Sequence, residues 1–321
     1  MLSTEYPFER LPSDDRMTTT PIGRGKIWAL YQRAQACFWT TAEVKLVRDP
    51  PDYHTKLIHG QRHAVKFIHG FFATADKIVN INILDRFRPE IDIFEVTYFY
   101  NFQTSMEDVH AHMYSIILDS IGISGAEREE LIAAVENIPV IGKMIGYMKS
   151  IIDSTKPLAA RLLMMACVEG IFFTGCFCII YWLGSLGLMP GLVQANELIA
   201  RDEALHTEFA LLLYTMVKPE FRLSDEEVHV IFSDATDIAV EFAQVLLPED
   251  MPGMNSRLMS DYIRCQADVL INSIGHKLLY RASHHFIFMD QQNMENKTSS
   301  FERQVTNYAK EIAGIEMVDN F

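Results

Sequence analysis

An all-α fold, one helical bundle with a polar C-terminal extension, is what this sequence predicts, and three observations carry the prediction. Apolar residues recur at three- and four-residue spacing in runs such as FIHGFFATADKIVNINILDRF (67–87) and EDVHAHMYSIILDSI (107–121), which is the period of one helix face. Strong period-two alternation between turn residues is missing, and IDIFEVTYF (91–99) is the one weak strand candidate. Leu162 to Leu183 runs for 22 residues with Glu169 as its only charge, long enough to cross a bilayer. A helix buried on all sides inside a large bundle suits it better. Two glycines and a carboxylate sit at its centre, and no second stretch matches its apolarity.

The elements follow in order. Helical runs are separated by breaks at Pro50-Pro51, Gly122 to Gly125, Pro139, Pro157, Pro190-Gly191, Pro219 and Pro252-Gly253. Residues 1–25 read as an N-terminal extension. Residues 26–289 read as one domain, without a repeat or a composition shift that marks a linker. Residues 290–321, DQQNMENKTSSFERQVTNYAKEIAGIEMVDNF, are polar, lose core periodicity and are predicted to be mobile.

Bulk properties bound the function. Hydrophobic residues at 49% and charged residues at 22% suit a folded soluble domain. A net charge of −14 argues against nucleic acid, whose phosphates need clustered Lys and Arg. The N-terminus, MLSTEYPFERLPSDDR, lacks the apolar core of a signal peptide. Cys37, Cys167, Cys176, Cys178 and Cys265 form no CxxC pair, which reads as reduced cysteines in a cytoplasmic protein that engages no membrane.

Three Glu-x-x-His spacings occur: Glu107/His110, Glu203/His206 and Glu226/His229. On a helix, positions i and i+3 share a face, so each pair can offer a carboxylate and an imidazole to one metal. Ser224 and Glu227 form a capping box that places Glu226 in a solvated first turn, which removes the third pair. The other two face apolar neighbours. A helical bundle that binds two metals takes one carboxylate from each of two helices and a Glu-x-x-His from each of two others. Glu169 supplies one lone carboxylate, and Asp76, in a stripe with Phe72 and Val79, supplies the other. Four carboxylates offset two divalent cations, and hard oxygen and imidazole donors suit iron or manganese.

At these residues the sequence resembles the small (R2-type) subunit of class I ribonucleotide reductase, nearest its eukaryotic and viral branch. FFATADKIVN, EDVHAHMYS, VEGIFFTGCF, GLMPGL and NELIARDEALH match the family's ligand-bearing segments in order, with gaps of 31, 62 and 34 residues between successive carboxylates. The similarity runs from about Lys26 to Tyr308. It implies a ferritin-like helical bundle, a homodimer, and a pair of iron ions, with manganese as the other option, that uses O2 to make a tyrosyl radical. A separate large subunit then uses that radical to reduce ribonucleotides.

Carried over by position, the resemblance gives Asp76, Glu107 and His110 to one metal and Glu169, Glu203 and His206 to the other, with Glu107 and Glu203 as bridges. Tyr114 matches the radical tyrosine, and Phe173, Phe177 and Ile199 match the residues that keep it dry. Trp39, Asp202 and Tyr308 match the radical-transfer residues, and the final EMVDNF resembles the peptide that docks on the large subunit. Trp28 is assigned to packing. Two other readings remain open at this level. One is a related di-metal oxidase or oxygenase acting on its own small substrate, which has no need of Trp39, Asp202 and Tyr308. The other is a ferritin-like storage protein, which needs no isolated tyrosine.

Overall fold

Helices α1 (Gly25–Ala36), α2 (His59–Asn82), α3 (Phe94–Ser120), α4 (Gly125–Glu136), α5 (Pro139–Asp153), α6 (Leu158–Ser185), α7 (Pro190–Met216), α8 (Asp225–Leu246) and α9 (Ser256–Ser273) follow one another in the computed structural model. It describes residues 6–153 and 155–289. Among the described residues there is no strand, only two isolated bridges, Phe8 with Val217 and Met251 with Met254. Contacts divide the chain into Met1–His284 and His285–Phe321. The first unit holds every helix named above, and only residues 285–289 of the second are described.

Four helices form the centre of the first unit. Helix α2 packs on α3, α3 on α7, α7 along α6, and α6 back on α2. Helix α1 covers α3 and α7, helices α4 and α5 cover α2, and helices α8 and α9 cover α6. This explains the apolar run around Glu169. Helix α6 is long and apolar enough to span a bilayer, yet 89% of its most apolar window is buried in the protein. It is hydrophobic all round because it has neighbours all round. Its regular turns are interrupted by a π turn at Val168–Phe172, a widened turn of the kind that often marks a functional position.

The weak strand at 91–99 is not formed. Ile93 is extended and serves as N-cap, and α3 starts at Phe94. Aromatic and β-branched residues imitate alternation there, but Val96, Phe99, Tyr100 and Gln103 are buried together at three- and four-residue spacing. Burial of one continuous face outweighs the local β preference of those residues. Within the same stretch, Glu95 accepts the Gly23 N–H at 2.8 Å and pairs with Arg16 at 2.6 Å, which anchors the segment ahead of α1.

Several breaks act as helix starts. Asp49, fully buried, accepts the N–H groups of Gly191 and Leu192 at 2.9 and 2.6 Å, capping α7 from a distant part of the sequence. A side chain at Gly191 would meet the Lys45 carbonyl at 2.5 Å, so only glycine permits that approach. The capping box at Ser224 and Glu227 forms as its sequence predicts. His229 there bonds the Lys277 carbonyl at 2.6 Å. None of the five cysteines is in a disulfide.

Candidate metal centre

Helix α3 presents Gln103, Glu107, His110 and Tyr114 along one buried stripe, each 2% exposed or less. The steps of four, three and four residues keep one face turned inward. Helix α7 does the same with Asp202, Glu203 and His206. Asp76 arrives from α2, and Glu169 from the π turn of α6. Two groups of donors result. Glu107, Glu169, Glu203 and His206 each offer an atom within 4.8 Å of the others, and so do Asp76, Glu107 and His110. Glu107 belongs to both.

The two histidines address the centre through the same nitrogen. His206 Nδ1 lies 3.1 Å from Glu107 and 2.9 Å from Glu203. His110 Nδ1 lies 3.2 Å from Glu107 and 3.0 Å from Glu203. The last contact is an ion-pair distance without hydrogen-bond alignment, since Glu203 Oε1 has no hydrogen-bond partner. Nε2 of His110 points away and donates to Asp202 Oδ2 at 3.1 Å, and Trp39 Nε1 donates to the same oxygen at 2.7 Å. A carboxylate behind an imidazole fixes the ring's orientation and leaves its front nitrogen facing the centre.

Electrostatics show what the cluster needs. Burial and the neighbouring carboxylates of Glu107 and Glu203 push Asp76 well above the usual carboxylate range. Burial and Glu203 push Glu169 well up too. Glu203 is held well down: burial would raise it, but the neighbouring Glu169 carboxyl and the two imidazoles outweigh that. His206 is held up to about 10; burial would lower it, but Glu107 and Glu203 win. Four carboxylates in a dry pocket do not all ionise on their own. Both oxygens of Asp76, Oε2 of Glu169 and Oε1 of Glu203 are buried without hydrogen-bond partners. Unpaired buried carboxylate oxygens beside imidazole nitrogens fit a dinuclear metal site, whose cations would neutralise the charge and take up the open oxygens.

Tyr114 stands next to this cluster, 1% exposed, with no partner for its hydroxyl. Phe72 stacks on its ring at 4.8 Å and 23°, and His69 meets it nearly at right angles at 6.0 Å. Phe173 and Phe177 pack against Phe72 at 5.3 and 5.5 Å, and Ile199 is buried on α7. Trp28 packs with Tyr31 and Tyr98 at 5.1 and 5.6 Å, away from this network. Tyr308 and the C-terminal EMVDNF lie outside the described residues.

Sequence reasoning passed over three residues. Gln103, one turn before Glu107, lies with its amide nitrogen 3.2 Å from Glu169 and 3.4 Å from Glu107, so one amide touches both donor groups. Its signal was available: a polar side chain on the α3 stripe, at i−4 from a candidate ligand. Phe72 and His69 had none, since their contact with Tyr114 joins two helices.

Comparisons with known proteins point to one family. A family profile described as ribonucleotide reductase, small chain, matches residues 16–286. The protein is 42% identical over 298 residues to the ribonucleoside-diphosphate reductase small chain of Nicotiana tabacum, covering 93% of its own length and 90% of that relative. It is 39% identical over 300 residues to the small chain of Monkeypox virus, covering 93% of each. Among solved structures, the Rnr4 homodimer of the Saccharomyces cerevisiae ribonucleotide reductase superposes with a TM-score of 0.77 at 28% identity, over 89% of this protein and 90% of that one. The R2 subunit from Clostridium botulinum shares the fold, with a TM-score of 0.79 at 21% identity over 90% and 94% of the two. With its central four-helix arrangement, its buried donor cluster and these relatives, the chain belongs to the ribonucleotide reductase small-chain family.

Proposed function

We infer that this protein, as the small subunit of a ribonucleoside-diphosphate reductase, generates and stores a radical on Tyr114 and delivers it to a large subunit. A small subunit implies a large-subunit partner and a dimeric assembly. The observation that carries the reading is the pair of donor groups joined at Glu107, with a buried, unpartnered tyrosine two turns further along the same helix. Asp76, Glu107 and His110 would hold one metal ion and Glu169, Glu203 and His206 the other, with Glu107 and Glu203 between them. Bound there, a pair of iron or manganese ions supplies, with O2, the one-electron oxidation of the phenol.

The protein's own residues do the rest. Burial, with the charges of Asp76, Glu203 and Glu107, holds the Tyr114 phenol well above its ordinary range, so it keeps its proton until it is oxidised. Phe72, with Phe173 and Phe177 behind it, excludes water and reductants from the ring. Asp202 joins His110 to Trp39 through a single oxygen, which gives a hydrogen-bonded route from the centre to the indole. Tyr308 and the EMVDNF terminus would extend that route and dock on the large subunit.

Electron paramagnetic resonance with metal analysis tests the reading. Loaded with iron in air, the protein should bind two ions and show a tyrosyl signal. Tyr114→Phe should keep the metal and lose the signal; a persisting signal would remove Tyr114 from the mechanism. Deleting the residues after Tyr308 should leave the radical and abolish reduction with the large subunit, and retained turnover would end the docking assignment.

A further inference from the structure

Among the described residues two rings pack on Tyr114, the apolar Phe72 and the imidazole of His69. His69 sits on α2, three residues before Phe72, and is 1% exposed. Its Nδ1 lies 2.8 Å from the carbonyl oxygen of Val65. A carbonyl only accepts, so Nδ1 carries the hydrogen and donates. A neutral imidazole has one N–H, and this one is engaged within its own helix. Nε2 is therefore a bare acceptor. Burial holds the group neutral, with its pKa lowered to about 4.

The geometry around the tyrosine is asymmetric. Phe72 lies nearly parallel to the Tyr114 ring at 4.8 Å and 23°, while the imidazole stands against it at 6.0 Å and 73°. Phe72 and His69 also meet edge-to-face at 6.3 Å and 84°. Two rings from one helix face thus clasp the tyrosine from different directions. Edge-to-face contact is an attractive arrangement of ring quadrupoles, and together with a stacked partner it restricts rotation of the ring between them.

Resting on the reading of Tyr114 as the radical site, we propose that His69 is a positioning residue for that radical: a tautomer-locked imidazole that fixes the orientation of the Tyr114 ring while offering its oxygen no proton donor. A leucine would fill similar space but would present no aromatic edge. A protonated imidazole would place a second N–H and a positive charge beside the ring. The commitment of Nδ1 to Val65 rules out a donated hydrogen bond from the neutral form.

Two measurements test this. In the metal-free protein, nitrogen-15 chemical shifts of His69 should report the Nδ1-protonated neutral tautomer at pH 7, and an Nε2-protonated ring would overturn the proposal. In the metal-loaded protein, the hyperfine splitting from the Tyr114 methylene protons reads the ring's orientation. His69→Leu should change that splitting and shorten the radical's lifetime several-fold at unchanged metal content. His69→Phe, which keeps an aromatic edge, should retain the native splitting, and it carries the test should the leucine variant fold poorly. Native splitting and lifetime in His69→Leu, or a lost splitting in His69→Phe with metal retained, would overturn the proposal. Failure of the Tyr114 assignment is separate: it shows as a signal that survives in Tyr114→Phe.

Discussion

Trp39 stacks over the imidazole of His110, ring centres 6.0 Å apart and planes 20° from parallel. Both rings donate to Oδ2 of Asp202, at 2.7 and 3.1 Å. One carboxylate oxygen thus serves a candidate ligand and an indole together. Asp202→Asn keeps an acceptor oxygen but loses the charge that strengthens both bonds. The radical should still form, because the donor atoms facing the centre are untouched. Turnover with the large subunit should fall by about 10- to 100-fold, the usual cost of losing a ligand's outer partner. Radical yield measured beside turnover separates the two effects, and equal losses in both would mean that Asp202 serves only to hold His110.

Gln103 offers a second separation. Its amide reaches Glu169 and Glu107 at once, and Gln103→Leu removes those donors at similar volume. Metal affinity should weaken by about 10- to 100-fold, read by competition with a chelator of known affinity. Unchanged affinity would show that the carboxylates are oriented by packing alone.

Glu169 tests the electrostatic account directly. In the metal-free protein it is a carboxyl buried beside Glu203, Glu107 and Asp76. Glu169→Leu should stabilise the metal-free protein by about 1–3 kcal/mol, because it takes a poorly paired buried polar group out of a crowd of carboxylates. It should also lower the metal content from two ions per protomer to one. Thermal melts with and without metal check both halves. A metal-free variant less stable than its parent would mean that the burial of Glu169 is offset by its hydrogen bonds rather than by a cation.

His69 gives a prediction with a defined pH window. Its folded pKa of about 4 lies below the ordinary 6.5. Between those values the unfolded protein binds the extra proton, so stability falls as pH drops from about 6.5 toward 4. The full effect approaches about 3 kcal/mol. His69→Leu removes this contribution, so the stability gap between variant and parent should shift in the variant's favour between pH 7 and pH 5. Denaturant midpoints at the two pH values measure it, and a gap independent of pH would show that His69 is not held neutral.

Much of the fold was readable because it is local. The three- and four-residue periodicity of α2 and α3 is written into the sequence, and so are the proline starts of α5 and α7 and the capping box of α8. The spacings Glu107/His110 and Glu203/His206 were readable for the same reason: helix geometry alone puts each pair on one face. The stretch 91–99 misled because its local preference is for strand, while what decides it is the buried face that Val96, Phe99 and Tyr100 share with Gln103. Gln103 itself went unnoticed because a glutamine carries no metal signature. Its importance comes from Glu169, 66 residues away.

By itself, then, the sequence determined the helices, the inward faces of the carboxylate-bearing ones and the kind of chemistry those faces suit. Periodicity and side-chain type are properties of short segments, and nothing distant is needed to read them. Tertiary structure alone decided which nitrogen of each histidine faces the centre, that Asp202 joins Trp39 to His110 through one oxygen, and that Phe72 and His69 clasp Tyr114. Those facts depend on how α2, α3, α6 and α7 are rotated and spaced against one another. That is set by close packing of whole faces, in which each side chain's surroundings come from residues far away in the sequence.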